Sequence, residues 1–513
     1  MKINSKWLLI TSFSYIYIPI IGFLVRWTNL PTAAVCLLAG LLSLRHIYLH
    51  NRDCGKARSF YVDPLIFICA ILMFVWVGYY AGWGRFVNQM WDWNKHNAVL
   101  SDLVNRKWPV YYKNGDEHSM LVYYVGQYII PAYIGKLLRS FRAAEIAVYV
   151  WNEVGMILVF LNVLDYLKTK NYFGQFLVLL LIPFFSIPLW LSHLLLKHFT
   201  GINYFNRLTN WYYSEDFMFM QYTGNFILLK WVFPQSFPVW LLTTLWLKNR
   251  KRIEYYIPML LPAILFASFG FLGLVVLAFG GALEILIKEK NFTQWLKRIF
   301  SFENLSILLT MGTVFLAYYS GNIFSEKPEL AGFSLMPYTK DTIIVYFILL
   351  VVDVLSYAVI FFNDHKKEGA YYAVFLTLAI LPLVRMGIYN DLMMRASIPM
   401  LFIIMLYTIE YLLKHVPSVD FSKPIAATKK AAVCVLVVFL LLGAYYQFGD
   451  FSETILFERY DILGDEIRLT KSMEEFANRN LDEENIDLLY NYYAYDIEEN
   501  IFYKLFARQK WRD

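Results

Sequence analysis

The residues best suited to chemistry are Asp92 and His96, in the run Trp91-Asp92-Trp93-Asn94-Lys95-His96-Asn97. Four residues apart, they share one face of a helix. Asp92 directly follows an apolar span. A carboxylate at the mouth of a membrane cavity can act as a general base, taking a proton from a hydroxyl. The plainer alternative is that Asp92 caps the helix that follows, with Trp91 and Trp93 in an interfacial aromatic belt. A second acidic pair, Glu215-Asp216, lies in an aromatic setting beside Trp211 and Tyr212; its plainer reading is a solvated helix start. Arg385, Asn390, Asp391 and Arg395 cluster around one turn. There a guanidinium can hold a phosphate through two parallel hydrogen bonds, or simply anchor the interface, and Arg395 is preferred over Arg385 for the phosphate. Lys230, just before a span, either contacts a lipid phosphate or snorkels to the interface. Trp91, Trp93, Trp211 and Tyr212 offer rings on which a sugar can stack. Glu153, Asp353 and Glu410 fall within apolar runs, where an acid is costly and points to function; the plainer alternatives are helix-packing partners for Glu153 and Asp353, and snorkelling at the inner end for Glu410.

The elements that must position these groups follow from composition. The chain has 513 residues, 58% hydrophobic and 17% charged, with mean hydropathy +0.45. Ordinary soluble domains carry roughly 45–50% apolar and about 25% charged residues. This excludes a soluble multidomain enzyme, a disordered chain and a coiled-coil rod, and implies an all-α polytopic membrane protein. Cys36, Cys54, Cys69 and Cys434 show no paired spacing, so neither a zinc site nor a disulfide framework is expected. The net charge of +6 reflects basic cytoplasmic loops rather than nucleic-acid binding.

About thirteen spans of the required ~20 residues are expected, near 7–25, 30–49, 63–84, 143–166, 173–196, 229–247, 255–268, 271–287, 303–319, 341–362, 370–387, 396–413 and 430–448. Pro183 and Pro188 predict a kink in the fifth. Gly270 and Gly273 predict the turn of a tight hairpin. Lys and Arg collect in alternate loops, which places the N-terminus in the cytoplasm and the C-terminal tail outside. The first span is read as retained, not cleaved. That alternation makes 120–138 an amphipathic or re-entrant element at the outer face. The outer segments are 85–142, 197–228, 320–340, 388–395 and the tail 449–513. The tail reads as mainly helical, notably over 466–480, with Tyr490, Tyr492, Tyr493 and Tyr495 docking on the membrane surface. No internal repeat is visible.

The outer loop carries a resemblance. Asp92 ends a span and an Ala-containing amphipathic helix follows. Then come Trp108-Pro109, the run His118-Ser119-Met120-Leu121-Val122-Tyr123-Tyr124, and a second surface helix ending in Arg139-Ser140-Phe141-Arg142-Ala143-Ala144. This order resembles the first outer loop of the GT-C glycosyltransferase superfamily, which includes protein O-mannosyltransferases and the lipid A aminoarabinose transferase. There an Asp, often Asp-Glu, opens the loop, and a His-Pro-Pro-Leu-Tyr-like segment leads the second helix. Here Trp93 follows the Asp, and Ser119-Met120 replaces the prolines. The likeness covers roughly 63–250, and more weakly 370–413, where Arg395 and Pro399 are similar to an Arg-Tyr-x-x-Pro segment.

The resemblance implies an N-terminal hairpin (1–62), a catalytic core (63–250), C-terminal spans (251–448) and the outer tail (449–513). It implies a sugar moved from a polyprenyl-phosphate donor to a lipid or glycan acceptor at the extracytoplasmic face, by inverting displacement. Asp92 takes the base position. Glu215 or Asp216 places the acceptor or, with Asp92, a Mg2+ or Mn2+ ion. Arg395, Arg385 and Lys230 bear on the leaving phosphate, and His96, Trp93 and Tyr212 on substrate binding. A flippase, or a polymerase or ligase of lipid-linked polysaccharide, is the alternative. A flippase calls for related halves and a charged path across the membrane.

Overall fold

The computed structural model describes residues 1–53, 59–87, 89, 92–114, 117–201, 220, 222–323, 333–336, 339–386, 390–416, 427–460, 472–475 and 492–510. The chain is mostly helical. Among the described residues, eight helices are long and apolar enough to cross a bilayer, or nine if one bent pair is a single span. The bent pair, Tyr172–Phe184 and Leu189–Thr200, turns by 48°. The break falls between Pro183 and Pro188, where missing N–H donors interrupt the helical ladder. Shorter apolar helices, Pro64–Tyr80, Ile253–Leu265 and Gly369–Leu383, complete the bundle.

The helices start where the sequence supplies caps. The Asn4 side chain accepts from the N–H groups of Lys6 and Trp7 to open Ser5–Trp27. Asp63 does the same ahead of Pro64, and Ser140 opens Phe141–Leu167. Each cap satisfies donors that no helical carbonyl reaches.

Helix Ser5–Trp27 is about 35 Å long at ~1.5 Å per residue and separates two chemically different ends. At one end Ser5 donates to Asp165 at 2.7 Å, and Lys248 pairs with Asp165. Arg250 meets Glu368 at 2.8 Å and Arg298 meets Glu254 at 3.0 Å. At the other end Trp27 lies against Trp108, ring centroids 4.8 Å apart. Its carbonyl accepts from the Arg508 N–H at 2.8 Å. Three cations expected in the inner loops, Lys248, Arg250 and Arg298, thus share one end, and Trp108 of the first long loop and Arg508 of the tail meet at the other.

Residues 92–138 fold at the second end as helix Trp93–Asn105, hairpin Tyr111–Asn114 with Glu117–Leu121, and helix Gly126–Leu138. At 13 residues the last is shorter than the ~17 needed to cross. That agrees with an element lying at the face.

Two expectations are corrected. The break before the long helix Ser268–Glu289 lies at Phe266 and Ala267, so Gly270 and Gly273 are inside the helix. Their role is close packing: a Cβ on Gly273 would stand 2.3 Å from the Ala396 carbonyl oxygen, and one on Gly270 2.8 Å from Val239. The tail tyrosines Tyr492 and Tyr493 do not lie on the membrane surface. Both are buried, and strand Tyr493–Ala494 adds antiparallel to the loop hairpin, pairing Leu121 with Tyr493 and Met120 with Ala494. An exposed hairpin edge and an apolar tail segment satisfy each other better than either satisfies lipid headgroups. Tyr490 and most of 466–480 lie outside the described residues.

Candidate functional site

Helix Pro64–Tyr80 ends in a turn that needs glycine twice, Gly82 at φ 87° and Gly84 at φ 75°. A side chain there would meet the Cβ penalty of the left-handed region. Between them Trp83 is fully buried, its indole N–H donating to the Leu229 carbonyl at 3.0 Å. Gln89 donates back to the Gly82 carbonyl at 2.7 Å, and Asn97 donates to Gln89 at 2.7 Å. These bonds place Asp92 at the start of helix Trp93–Asn105.

Asp92 occupies the cap position, but its side chain makes no cap hydrogen bond. It faces Lys95 Nζ at 3.0 Å. Three neighbours expected to touch substrate are instead committed to the fold. The Trp93 indole N–H donates to the Lys230 carbonyl at 3.1 Å, and its ring stacks on Phe233 at 4.9 Å. His96 has both ring nitrogens engaged: Nε2 lies 3.1 Å from the Trp231 carbonyl, and Nδ1 lies 2.5 Å from the Tyr128 hydroxyl. A carbonyl can only accept, which assigns the proton to Nε2 and makes Nδ1 the acceptor for Tyr128. Burial, reinforced by the Lys95 charge, pushes the His96 pKa down to about 3. Lys230 is buried, 3.2 Å from Asp450 and 2.8 Å from the Thr454 hydroxyl. It holds the helix Ala427–Tyr460 rather than snorkelling.

Arg395 arrives from the other half of the chain. Asn390, in the left-handed region at φ 50°, opens the short helix Asp391–Ala396. Asp391 meets Arg395 at 3.1 Å, and the guanidinium lies 5.9 Å from the Tyr124 ring centre. Among the described residues, Arg395 Nε is buried without a hydrogen-bond partner. Arg385 sits in strand Val384–Met386, opposite Ser334 of strand Phe333–Leu335.

Tyrosines connect Asp92 to Arg395. Tyr123 donates to the Tyr124 hydroxyl, and their ring centroids are 3.6 Å apart. Tyr123 lies 4.9 Å from Tyr492. Burial raises the pKa of all four phenols, Tyr123, Tyr124, Tyr128 and Tyr492. Asp92 raises Tyr492 further while Arg395 lowers it. Arg395 and Lys95 both act on Tyr124. One buried cluster therefore joins two carboxylates, Asp92 and Asp391, with two cations and four phenols. A small pocket, partly open to solvent, borders the cluster through His96 and Tyr128. Its other walls include Arg85, Gln89, Asn97 and Glu145, and not Asp92 or Arg395.

Glu215, Asp216 and Tyr212, with Trp91 and Trp211, lie outside the described residues. Among the described residues no three His, Cys, Asp or Glu side chains gather as a metal-binding set. Asp92 and Asp391 are each paired with a cation. The sequence reading did not anticipate Tyr128 or Tyr492 as part of the cluster, nor Asp450 as the partner of Lys230. The adjacent Tyr123-Tyr124 in the loop was the available signal. No family model, curated protein or solved structure matches the chain.

Proposed function

We propose that this protein is a membrane glycosyltransferase that moves a sugar from a polyprenyl-phosphate donor to a lipid or glycan acceptor at the extracytoplasmic face. One observation carries the reading. Asp92 and Arg395, far apart in sequence, meet in one buried, tyrosine-lined cluster at the end of the bundle opposite the Arg250, Lys248 and Arg298 ion pairs. A base and a cation beside one aromatic cluster suit a displacement at an anomeric carbon.

In that reaction Asp92 takes the proton of the acceptor hydroxyl as its oxygen forms a bond to the anomeric carbon. The bond from that carbon to the phosphate oxygen breaks, and its electrons leave with the lipid phosphate. The configuration inverts. Lys95 fixes the orientation of the carboxylate. Arg395, with an unpartnered Nε–H, stabilises charge on the departing phosphate. Glu215 and Asp216 are assigned to the acceptor or to a Mg2+ or Mn2+ ion, with no step drawn through the metal. Helix and charge placement support about thirteen crossings with the N-terminus in the cytoplasm.

The test is a lipid extract of the purified protein, analysed by mass spectrometry, followed by transfer assays with the lipid found. A co-purifying polyprenyl-phosphate sugar is expected, with Asp92→Asn lowering transfer at least a hundredfold, the lower range for a general base. Full transfer by a folded Asp92→Asn protein removes the base assignment. Absence of any lipid-linked sugar, with no transfer from a panel of such donors, removes the function.

A further inference from the structure

The aromatic side of the cluster comes from two distant parts of the chain. Tyr123 and Tyr124 follow the hairpin strand Glu117–Leu121; Tyr492 begins the tail segment 492–510. The main chain fixes that segment. The Val122 N–H donates to the Tyr492 carbonyl at 2.8 Å, ahead of the Leu121–Tyr493 and Met120–Ala494 pairs. Further on, Phe502 packs on Tyr318 at 5.4 Å and on Phe23 at 6.3 Å. The Arg508 N–H then reaches the Trp27 carbonyl. This docking leaves Tyr492 9% exposed, with its ring against Tyr123 and the charges of Asp92, Arg395 and Asp391 acting on its phenol.

We infer that Tyr492 contacts the sugar of the donor and, with Tyr123 and Tyr124, forms an aromatic wall between the base and the guanidinium, so that the C-terminal tail completes the transfer site. The inference rests on the transferase reading above. Two kinds of binding need divide along the donor. The phosphate needs a cation, which Arg395 supplies. The sugar ring presents C–H bonds on its faces and hydroxyls at its rim. A phenol matches both, with an apolar ring face and a polar tip. Trp93, the nearby indole expected to stack on sugar, has one face covered by Phe233 and its N–H taken by the Lys230 carbonyl, and the pocket it borders is walled by neither Asp92 nor Arg395. The tyrosine wall is what the cluster offers in its place.

Two probes separate these contributions: undecaprenyl phosphate, and undecaprenyl phosphate carrying a hexose, with several hexoses tried. Each is titrated by native mass spectrometry against the full-length protein in nanodiscs. Tyr492→Ala is expected to weaken the sugar-bearing probe about five- to tenfold, the scale of one aromatic contact, and the sugar-free probe less than twofold. Tyr492→Phe keeps the ring and loses less than Tyr492→Ala. Arg395→Ala weakens both probes together. Thermal unfolding of each variant reports whether the tail remains docked. Equal weakening of both probes by Tyr492→Ala assigns the residue to the fold and overturns the inference. So does wild-type affinity of Tyr492→Ala for both probes while Arg395→Ala still weakens them. If Arg395→Ala also binds like wild type, the transferase reading itself fails.

Discussion

His96 makes the protein acid-sensitive in a way that can be worked out in advance. Both of its ring nitrogens are hydrogen-bonded and its side chain is buried beside Lys95. Its pKa falls from the ordinary 6.5 to about 3, burial being the larger cause and the Lys95 charge the next. The folded state therefore keeps His96 neutral over a range where the unfolded chain takes up a proton. Stability from this group is complete above pH 6.5 and is lost progressively as pH falls from 6.5 toward 3. At pH 5 the unfolded form is favoured by about 2 kcal/mol relative to pH 7.5, from ~1.36 kcal/mol per pH unit over about 1.5 units. Replacing His96 by Gln keeps a donor and an acceptor but removes the titration. The assay is thermal unfolding of the detergent-solubilised protein from pH 5 to 7.5, wild type against His96→Gln. The difference between the two is expected to shrink by about 2 kcal/mol as pH is lowered. Other titrating groups, such as buried Asp102, contribute to both proteins and cancel. A difference that stays constant across this range would falsify the neutral, buried assignment.

Three further outcomes follow from the packing. Lys230→Ala strands the buried Asp450 carboxylate and is expected to cost about 3–5 kcal/mol. The double change Lys230→Met with Asp450→Leu recovers most of it, as a double-mutant cycle of unfolding midpoints will report; additive losses would mean that the pair is not coupled. Gly273→Val drives a side chain into the Ala396 carbonyl and Pro399 and is expected to cost about 1–3 kcal/mol. It also displaces Arg395, so binding of undecaprenyl phosphate falls at least tenfold, whereas unchanged affinity would show the arginine to be placed by other contacts. Trp83→Phe removes the N–H that reaches the Leu229 carbonyl. A cost of about 1–3 kcal/mol for the buried unpaired carbonyl is expected, and an unchanged melting temperature would refute that bond.

Hydropathy and charge alternation are local properties, and they carried most of the legible information. They carried the helical membrane class, the bend between Pro183 and Pro188, and the reading of 120–138 as a non-spanning element, whose helix Gly126–Leu138 is 13 residues long. Side-chain roles were harder to read because each is decided by a partner elsewhere in the chain. Gly270 and Gly273 looked like a turn, yet a glycine is as useful where another backbone must come close, and Ala396 is visible only in three dimensions. Lys230 looked like an interfacial anchor until Asp450 supplied its counter-charge. His96 shares a helix with Asp92 as expected, but Trp231 and Tyr128 take both of its nitrogens. A shared site for Asp92 and Arg395 was an expectation from family resemblance, and local chemistry alone left the cap reading of Asp92 open. The missing cap hydrogen bond and the Lys95 partner now weigh against that reading.

The strand that the tail adds to the loop hairpin also orders events during synthesis. The segment 117–121 is made early, while Tyr493 and Ala494 follow more than three hundred and fifty residues later. At about 5–20 residues per second, the hairpin waits roughly 20–70 s with an open edge. During that interval Tyr123 and Trp27 lack their tail partners, so the aromatic cluster is unfinished and the hairpin edge is free to pair wrongly. A chain cut short by a stalled ribosome holds nearly every apolar helix yet no complete aromatic cluster. Completion of translation thus becomes a condition for closing the aromatic cluster, written into the order of the strands.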